Sequence, residues 1–442
     1  MLSFLVIGLV LLVGLLSTRL MKLVKLPNVT GYLITGILLG PCVLGLAFKG
    51  IDFMGQPLFD QIYDKNVMTF ISNAALGFIA FSIGTSFKLT SLKKVGKRVL
   101  IITVFEALGG AIFVLIGLLI TKIFIQDIPV EIILTLGAIA CATAPAATLM
   151  VVKQYKAKGP VTNTLLPVVA FDDAVALIAF EILFSIAKAM AKGTTPDFMS
   201  IAVWPLVSII GSLLIGTGLG FLVSLGCKLF KSRANRMIMC IVAIFLCTAI
   251  SLIPFSSFLP SNINISVSSL LMTMMVGAVL INTRADSELI FERMDMFTPP
   301  IFMLFFIVSG ANLDLTIFAS KNAFVMIIIA LVYLLTRALG KWVGAFSSAK
   351  ISKAEPTVQK YLGFTLFPQA GVAIGLASTA SQTLVADGNA LLSNDATNVL
   401  GNTLVTYGNM ILAIILTSTM IYELCGPFIT KIALQKAGEI TK

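Results

Sequence analysis

The sequence predicts an all-helical, polytopic membrane protein, and three observations carry that expectation. Of its 442 residues 58% are apolar and only 12% are charged, about half the charged share of a soluble chain. That is too little polar surface to coat a soluble fold of this size. The apolar residues come in continuous blocks of span length rather than in ten-residue alternating strands, which excludes a barrel and points to helices. Lysine and arginine concentrate in alternate gaps between the blocks, as expected of a chain threaded back and forth. A soluble enzyme, a nucleic-acid-binding protein and a secreted disulfide scaffold are thereby set aside.

Thirteen blocks reach span length. Span 1 (2–20) lacks a basic region before it and a small-residue cleavage site after it, so it reads as a retained helix. Spans 2 (29–48) and 3 (66–87) follow. Spans 4 (99–124), 5 (129–152) and 6 (161–190) come next, then span 7 (200–229). Spans 8 (236–254) and 9 (267–283) flank a stretch with Pro254, Pro260 and no charge. Spans 10 (298–318), 11 (323–346), 12 (358–384) and 13 (397–426) complete the set. With the N-terminus outside, 23 of the 31 basic residues fall in inside loops and 6 in outside loops, Arg337 and Lys341 lying within span 11. The net charge of +11 is then mostly an orientation signal: N-terminus outside, C-terminus cytoplasmic. Six spans, one linking span and six more make an inverted repeat, pairing spans 4, 5 and 6 with 11, 12 and 13.

The composition also limits the chemistry. There is no histidine, so any proton chemistry rests on carboxylates or amines. The six cysteines show no metal-ligand spacing, and no GxxxxGK[ST] motif occurs. No resident cofactor and no enzymatic activity are expected.

The charges that remain inside the spans are the candidate functional residues. Asp172 and Asp173 stand in span 6 about 17 Å from its inside end, where each charge costs roughly 2.5 kcal/mol or more to insert. Neighbours on a helix point about 100° apart, so one carboxylate can line an ion cavity while the other meets a neighbouring helix. Their oxygens suit protons or a hard monovalent cation such as sodium. Span 5 carries Cys141-Ala142-Thr143-Ala144-Pro145 and span 12 carries Phe367-Pro368-Gln369-Ala370-Gly371. Proline inside a span frees backbone carbonyls; breaks in repeat-equivalent helices frame a binding site near mid-membrane. Glu106 in span 4 and Arg337 in span 11 sit at matching depth with opposite charge, which predicts an intramembrane salt bridge acting as a strut or a gate. Lys341 is expected to snorkel towards the cytoplasm. Asn398, Asn402, Thr406 and Asn409 form a polar stripe on span 13 facing the ion path or span 6. Asn73, Ser82 and Glu181 are further pathway candidates. Gly109-Gly110 and the glycines of 216–220 read as close helix packing.

In this order and spacing the motifs resemble the cation:proton antiporter family 2 of the sodium/proton exchanger superfamily. The similarity is carried by Leu26-Pro27-Asn28-Val29-Thr30-Gly31-Tyr32 through Leu39-Gly40-Pro41, by Ala142-Thr143-Ala144-Pro145, by Asp172-Asp173, by Pro299-Pro300-Ile301-Phe302 through Asp314-Leu315, and by Phe367-Pro368-Gln369-Ala370-Gly371. The resemblance implies a homodimeric antiporter in the cell membrane, in contact with lipid and with no nucleic-acid partner. One transmembrane domain would hold a moving core (about 99–190 and 323–426), a dimer scaffold (about 1–87 and 236–318) and a linker helix (200–229). It also implies that Asp173 carries the cation and the proton, that Asp172 assists or pairs with a base, and that Thr143 completes the cation shell. Double-aspartate members that move net charge usually have a lysine where Arg337 stands. Arginine keeps its proton, which argues against two protons per sodium ion. Sodium, with lithium as a second substrate, is the expected cation. A potassium/proton antiporter, a sodium-coupled organic anion symporter and a channel or sensor are the alternatives.

Overall fold

A computed structural model describes residues 2–23, 28–40, 43–44, 52–53, 56–57, 65–85, 87–126, 128–144, 148, 151–152, 155–191, 203–253, 267–313, 323–394 and 397–440. Its helices are α1 (Leu2–Leu23), α2 (Asn28–Leu39), α3 (Lys65–Thr85), α4 (Leu89–Phe124), α5 (Val130–Ile139), α6 (Pro160–Ala191), α7 (Trp204–Leu229) and α8 (Arg233–Ser251). They continue with α9 (Ser269–Thr283), α10 (Ser287–Phe297), α11 (Pro299–Ala311), α12 (Ala323–Ile351), α13 (Pro356–Tyr361), a 3-10 turn at Leu362–Leu366, α14 (Gly371–Asn394) and α15 (Val399–Lys436). A two-residue antiparallel ribbon pairs Asp52–Phe53 with Gln56–Pro57.

Each of the thirteen expected spans overlaps one of these helices. Among the described residues seven helices (α3, α4, α6, α7, α8, α12 and α15) are long and apolar enough to cross a membrane alone. The bent pairs α10–α11 (48°) and α13–α14 (44°) raise that to nine. The helices α2, α5 and α9 are apolar but shorter. Length and composition therefore establish seven to nine crossings, with thirteen remaining the sequence expectation. Several boundaries differ; α4, for instance, begins at Leu89, ten residues before span 4, with a kink at Gly96. The polar α10 was not anticipated as a helix, and α15 runs through Pro427 to Lys436, ten residues past the expected end of span 13.

The packing obeys the internal repeat. Helix α2 packs on α11 and α9 on α3; α1 packs on α2 and α8 on α9; α5 packs on α6 and α14 on α15. Each pair maps onto its partner when the first six spans are laid on the last six, and α4 against α12 maps onto itself. Glycines make these seams possible. A Cβ on Gly36 or Gly310 would strike the facing backbone of α11 or α2, and one on Gly84 or Gly277 that of α9 or α3. Gly109 on α4 likewise faces Gly340 on α12, where a Cβ would lie 2.7 Å from the Gly340 carbonyl oxygen. Backbones this close gain dispersion contact that lipid cannot supply. The expected close packing of 216–220 is found for Gly216 and Gly220 against α9, whereas Gly218 faces open space.

Candidate functional site

Two interrupted helices cross at the centre of the fold. Helix α5 ends at Ile139, and Cys141 through Ala144 are non-helical; Phe367 through Ala370 separate the 3-10 turn from α14. The breaks touch: the Ala144 N–H donates to the Pro368 carbonyl at 2.9 Å. Pro145 lies outside the described residues; Pro368 is buried in the second break. Gly371 opens α14.

Breaking a helix leaves carbonyls without partners, and α12 supplies donors for them. Arg337 and Lys341 stand four residues apart, so they share one helix face. The Arg337 guanidinium donates to Ala140 O at 3.2 Å, Ala142 O at 2.6 Å and Phe367 O at 2.8 Å. It also lies 4.6 Å from the centre of the Tyr422 ring, a cation–π contact. Thus one fork of donors holds both breaks, which suits arginine's five N–H groups. Gln369 completes the seam, donating to Ile139 O at 3.2 Å and to the Tyr333 hydroxyl at 2.8 Å.

The expected Glu106–Arg337 salt bridge is not formed. Lys341 is the partner of Glu106, with Nζ 2.9 Å from Oε2. The same ammonium lies 3.1 and 3.3 Å from the Asp172 oxygens and 3.0 Å from Thr143 Oγ1, and it also donates to the Cys141 carbonyl. Lys341 does not snorkel: it is fully buried, as are Glu106, Asp172 and Arg337. The physical reason is demand. Three freed carbonyls match a guanidinium, whereas two facing carboxylates call for a compact point charge. Gly110 makes room, since a Cβ there would sit 3.3 Å from Lys341 Cε. A lysine one turn beyond Arg337 thus stands between Glu106 and Asp172.

Asp173 points elsewhere. It is 4% exposed, and its Oδ1 is buried with no hydrogen bond among the described residues. It lines a cavity of about 660 Å³ together with Thr148, Ala144, Gly371, Phe306 and Asp295. The other lining residues include Asn28 at the start of α2, Thr298 and Pro299 at the start of α11, and Ser82 in the last turn of α3. The cavity thus opens towards the face that carries the basic loops. The 100° offset between successive residues separates the two aspartates as expected: Asp172 meets the lysine and Asp173 meets the cavity.

The remaining candidates divide. Ser82 lines the cavity; Asn73 and Glu181 do not. Thr143 is placed on Lys341 rather than on Asp173. In the polar stripe of α15, Asn398 caps the helix by accepting from the Gly401 N–H at 2.8 Å, and Asn402 and Thr406 bond within the helix and are exposed. Asn398 lies about 36 Å along α15 from Tyr422, and Asn409 at the near end of the stripe about 20 Å, so the stripe does not reach the site. Sequence reasoning missed Glu423, buried on α15 with the Thr30 hydroxyl of α2 3.5 Å away. A carboxylate inside span 13 was the available signal.

Residues 7–436 match the transmembrane sodium/hydrogen exchanger family. The chain is 25% identical over 363 residues to "Cation/H(+) antiporter 19" of Arabidopsis thaliana, and 25% identical over 371 residues to "Cation/H(+) antiporter 20" of the same plant. Each alignment covers 78% of this chain and 41% of the relative, so the chain matches less than half the length of either. The fold is similar to that of the sodium proton antiporter MjNhaP1 from Methanocaldococcus jannaschii, with a TM-score of 0.72, 17% identity, and coverage of 99% of this chain and 98% of that one. The chain belongs to the sodium/hydrogen exchanger family, a family of transporters rather than enzymes.

Proposed function

We propose that this multi-pass membrane protein exchanges a monovalent cation, sodium or lithium, for protons across the cell membrane, with Asp173 as the carrier group. The observation that carries the reading is that Asp173 lines a cavity open to one face while its Oδ1 is buried without a hydrogen bond among the described residues. A carboxylate that lines the cavity and has an oxygen free of protein donors can take up a proton or a hard cation, and the two compete for it. Asp172, held by Lys341, sits beside it and supplies the second carboxylate. Exchange follows if the loaded site crosses only when Asp173 is neutralised by either ligand. In this reading α4–α6 move with α12–α15 against a dimeric scaffold, the basic-loop face is cytoplasmic, and the cavity is the inward-facing opening.

An organic anion symporter needs a free cationic group near the breaks. Arg337 and Lys341 are both engaged by protein oxygens, which disfavours that reading. The test is Asp173→Asn, purified and reconstituted in proteoliposomes. Sodium-driven proton flux is expected to vanish while insertion is normal; undiminished flux would rule the carrier out. Solid-supported-membrane recordings of the unmodified protein under sodium and potassium gradients report the cation and whether net charge moves. A response to potassium alone would move the assignment to potassium/proton exchange.

A further inference from the structure

Helix α15 ends at Lys436, and the chain then doubles back onto the start of α6. Gly438 turns with φ +78°, a left-handed conformation that a residue with a side chain adopts only under strain. Glu439 follows and sits on the first turn of α6. Its carboxylate accepts from the Val161 N–H at 2.6 Å, the Thr162 N–H at 2.9 Å and the Thr162 hydroxyl at 2.7 Å. Its own carbonyl accepts from the Lys158 N–H at 3.1 Å. Lys431 adds a second tie, 4.7 Å from the centre of the Tyr155 ring.

Helix α6 has no local cap. It begins at Pro160 after Lys158 and Gly159, neither of which offers a side-chain acceptor. Its orphaned first-turn N–H groups find their partner 277 and 278 residues away. The fit is close: a Cβ on Gly159 would lie 2.5 Å from the Glu439 carboxyl carbon. Around this point α6 otherwise packs through apolar Val161, Leu165, Val168 and Val169, in a cluster that includes Leu434. Apolar contacts are non-directional and tolerate a small axial slide of a helix. Three short directional bonds do not.

We propose that Glu439 is a positioning residue for the ion site: it clamps α6 in axial register against the end of α15, and so sets where Asp172 and Asp173 stand relative to the two breaks. The inference rests on the reading of Asp173 as the carrier. The clamp joins the helix bearing the aspartates to the helix whose Tyr422 lies under Arg337, closing a loop of contacts around the site.

The test compares Glu439→Ala and Glu439→Gln in the full chain. Amide hydrogen exchange at Val161 and Thr162 is expected to rise about tenfold or more in Glu439→Ala. In proteoliposomes, flux per inserted molecule is expected to show an apparent cation KM raised several-fold with Vmax changed less than twofold. Glu439→Gln, which keeps one acceptor oxygen, falls between and serves as the readout if the alanine variant does not fold. Unchanged amide exchange would overturn the clamp. Faster exchange with an unchanged KM would make it a cap alone and overturn the positioning role. The amide readout does not depend on Asp173, so failure of the carrier reading appears in Asp173→Asn and is separable.

Discussion

Lys341→Met is the perturbation that reaches furthest into the site. It keeps a flexible apolar stem and removes the ammonium that faces Glu106 at 2.9 Å and Asp172 at 3.1 Å. Breaking a buried ion pair by removing one partner costs about 3–5 kcal/mol. The Cys141 carbonyl also loses its donor, adding about 1–3 kcal/mol. With an unfolding entropy of roughly 2.1 cal/mol/K per residue, each kcal/mol corresponds to about 1 °C in a chain this long. A fall in Tm of about 4–8 °C is therefore expected for the detergent-solubilised protein. The decisive measurement is a double-mutant cycle with Glu106→Gln. Once Glu106 is neutral, Lys341→Met strands one charge fewer, and a coupling energy of about 0.5–3 kcal/mol is expected. Arg337→Met should show none with Glu106→Gln. Coupling to Arg337 instead of Lys341 would refute the pairing and restore the one read from the sequence.

Two other substitutions test the packing and the periphery. Gly310→Ala drives a Cβ into the Leu33 carbonyl oxygen and is expected to destabilise by about 1–3 kcal/mol through overpacking. Gly218→Ala meets nothing within 4 Å and should stabilise by up to about 1 kcal/mol through helix propensity; paired thermal melts read both. In the turn after α9, Arg284 donates to Asp286 at 2.8 and 2.9 Å and holds its carboxyl below the usual range, with Arg236 also paired to it. A depressed carboxyl contributes stability above its unfolded pKa and loses it as pH falls through the folded one. Asp286→Asn should therefore cost at most about 1 kcal/mol at neutral pH. Its melting temperature should converge with the parent as the pH is lowered past about 3.9.

The spans and the aspartate pair were legible because they are local: a long apolar block and a charge inside it each leave a mark at one place. Both broken helices were legible for the same reason, through Pro145 and Pro368, although only the second falls among the described residues. The pairing of Glu106 was not. Arg337 and Lys341 lie on the same face one turn apart, about 6 Å along the axis, which is within the error of counting residues from a helix end. Choosing between them requires knowing that three carbonyls are orphaned beside one position and two carboxylates beside the other. Glu439 was invisible for a different reason. Gly438 after a helix and Pro160 at the start of another are ordinary end signals, and nothing local says that one end caps the other.

The depth of the cavity has an electrical consequence. Asp173 stands about 20 Å along α6, a helix of about 48 Å, and the cavity connects it to the face with the basic loops. A membrane potential drops across low-dielectric material and hardly at all across an open, polarisable vestibule. The voltage is then concentrated between Asp173 and the opposite face. In the proposed exchange, a cation reaching the carboxylate from the open side would cross little of that drop, and its binding would be nearly indifferent to voltage. The work of about 2.3 kcal/mol per unit charge per 100 mV would fall instead on the step that moves the loaded site.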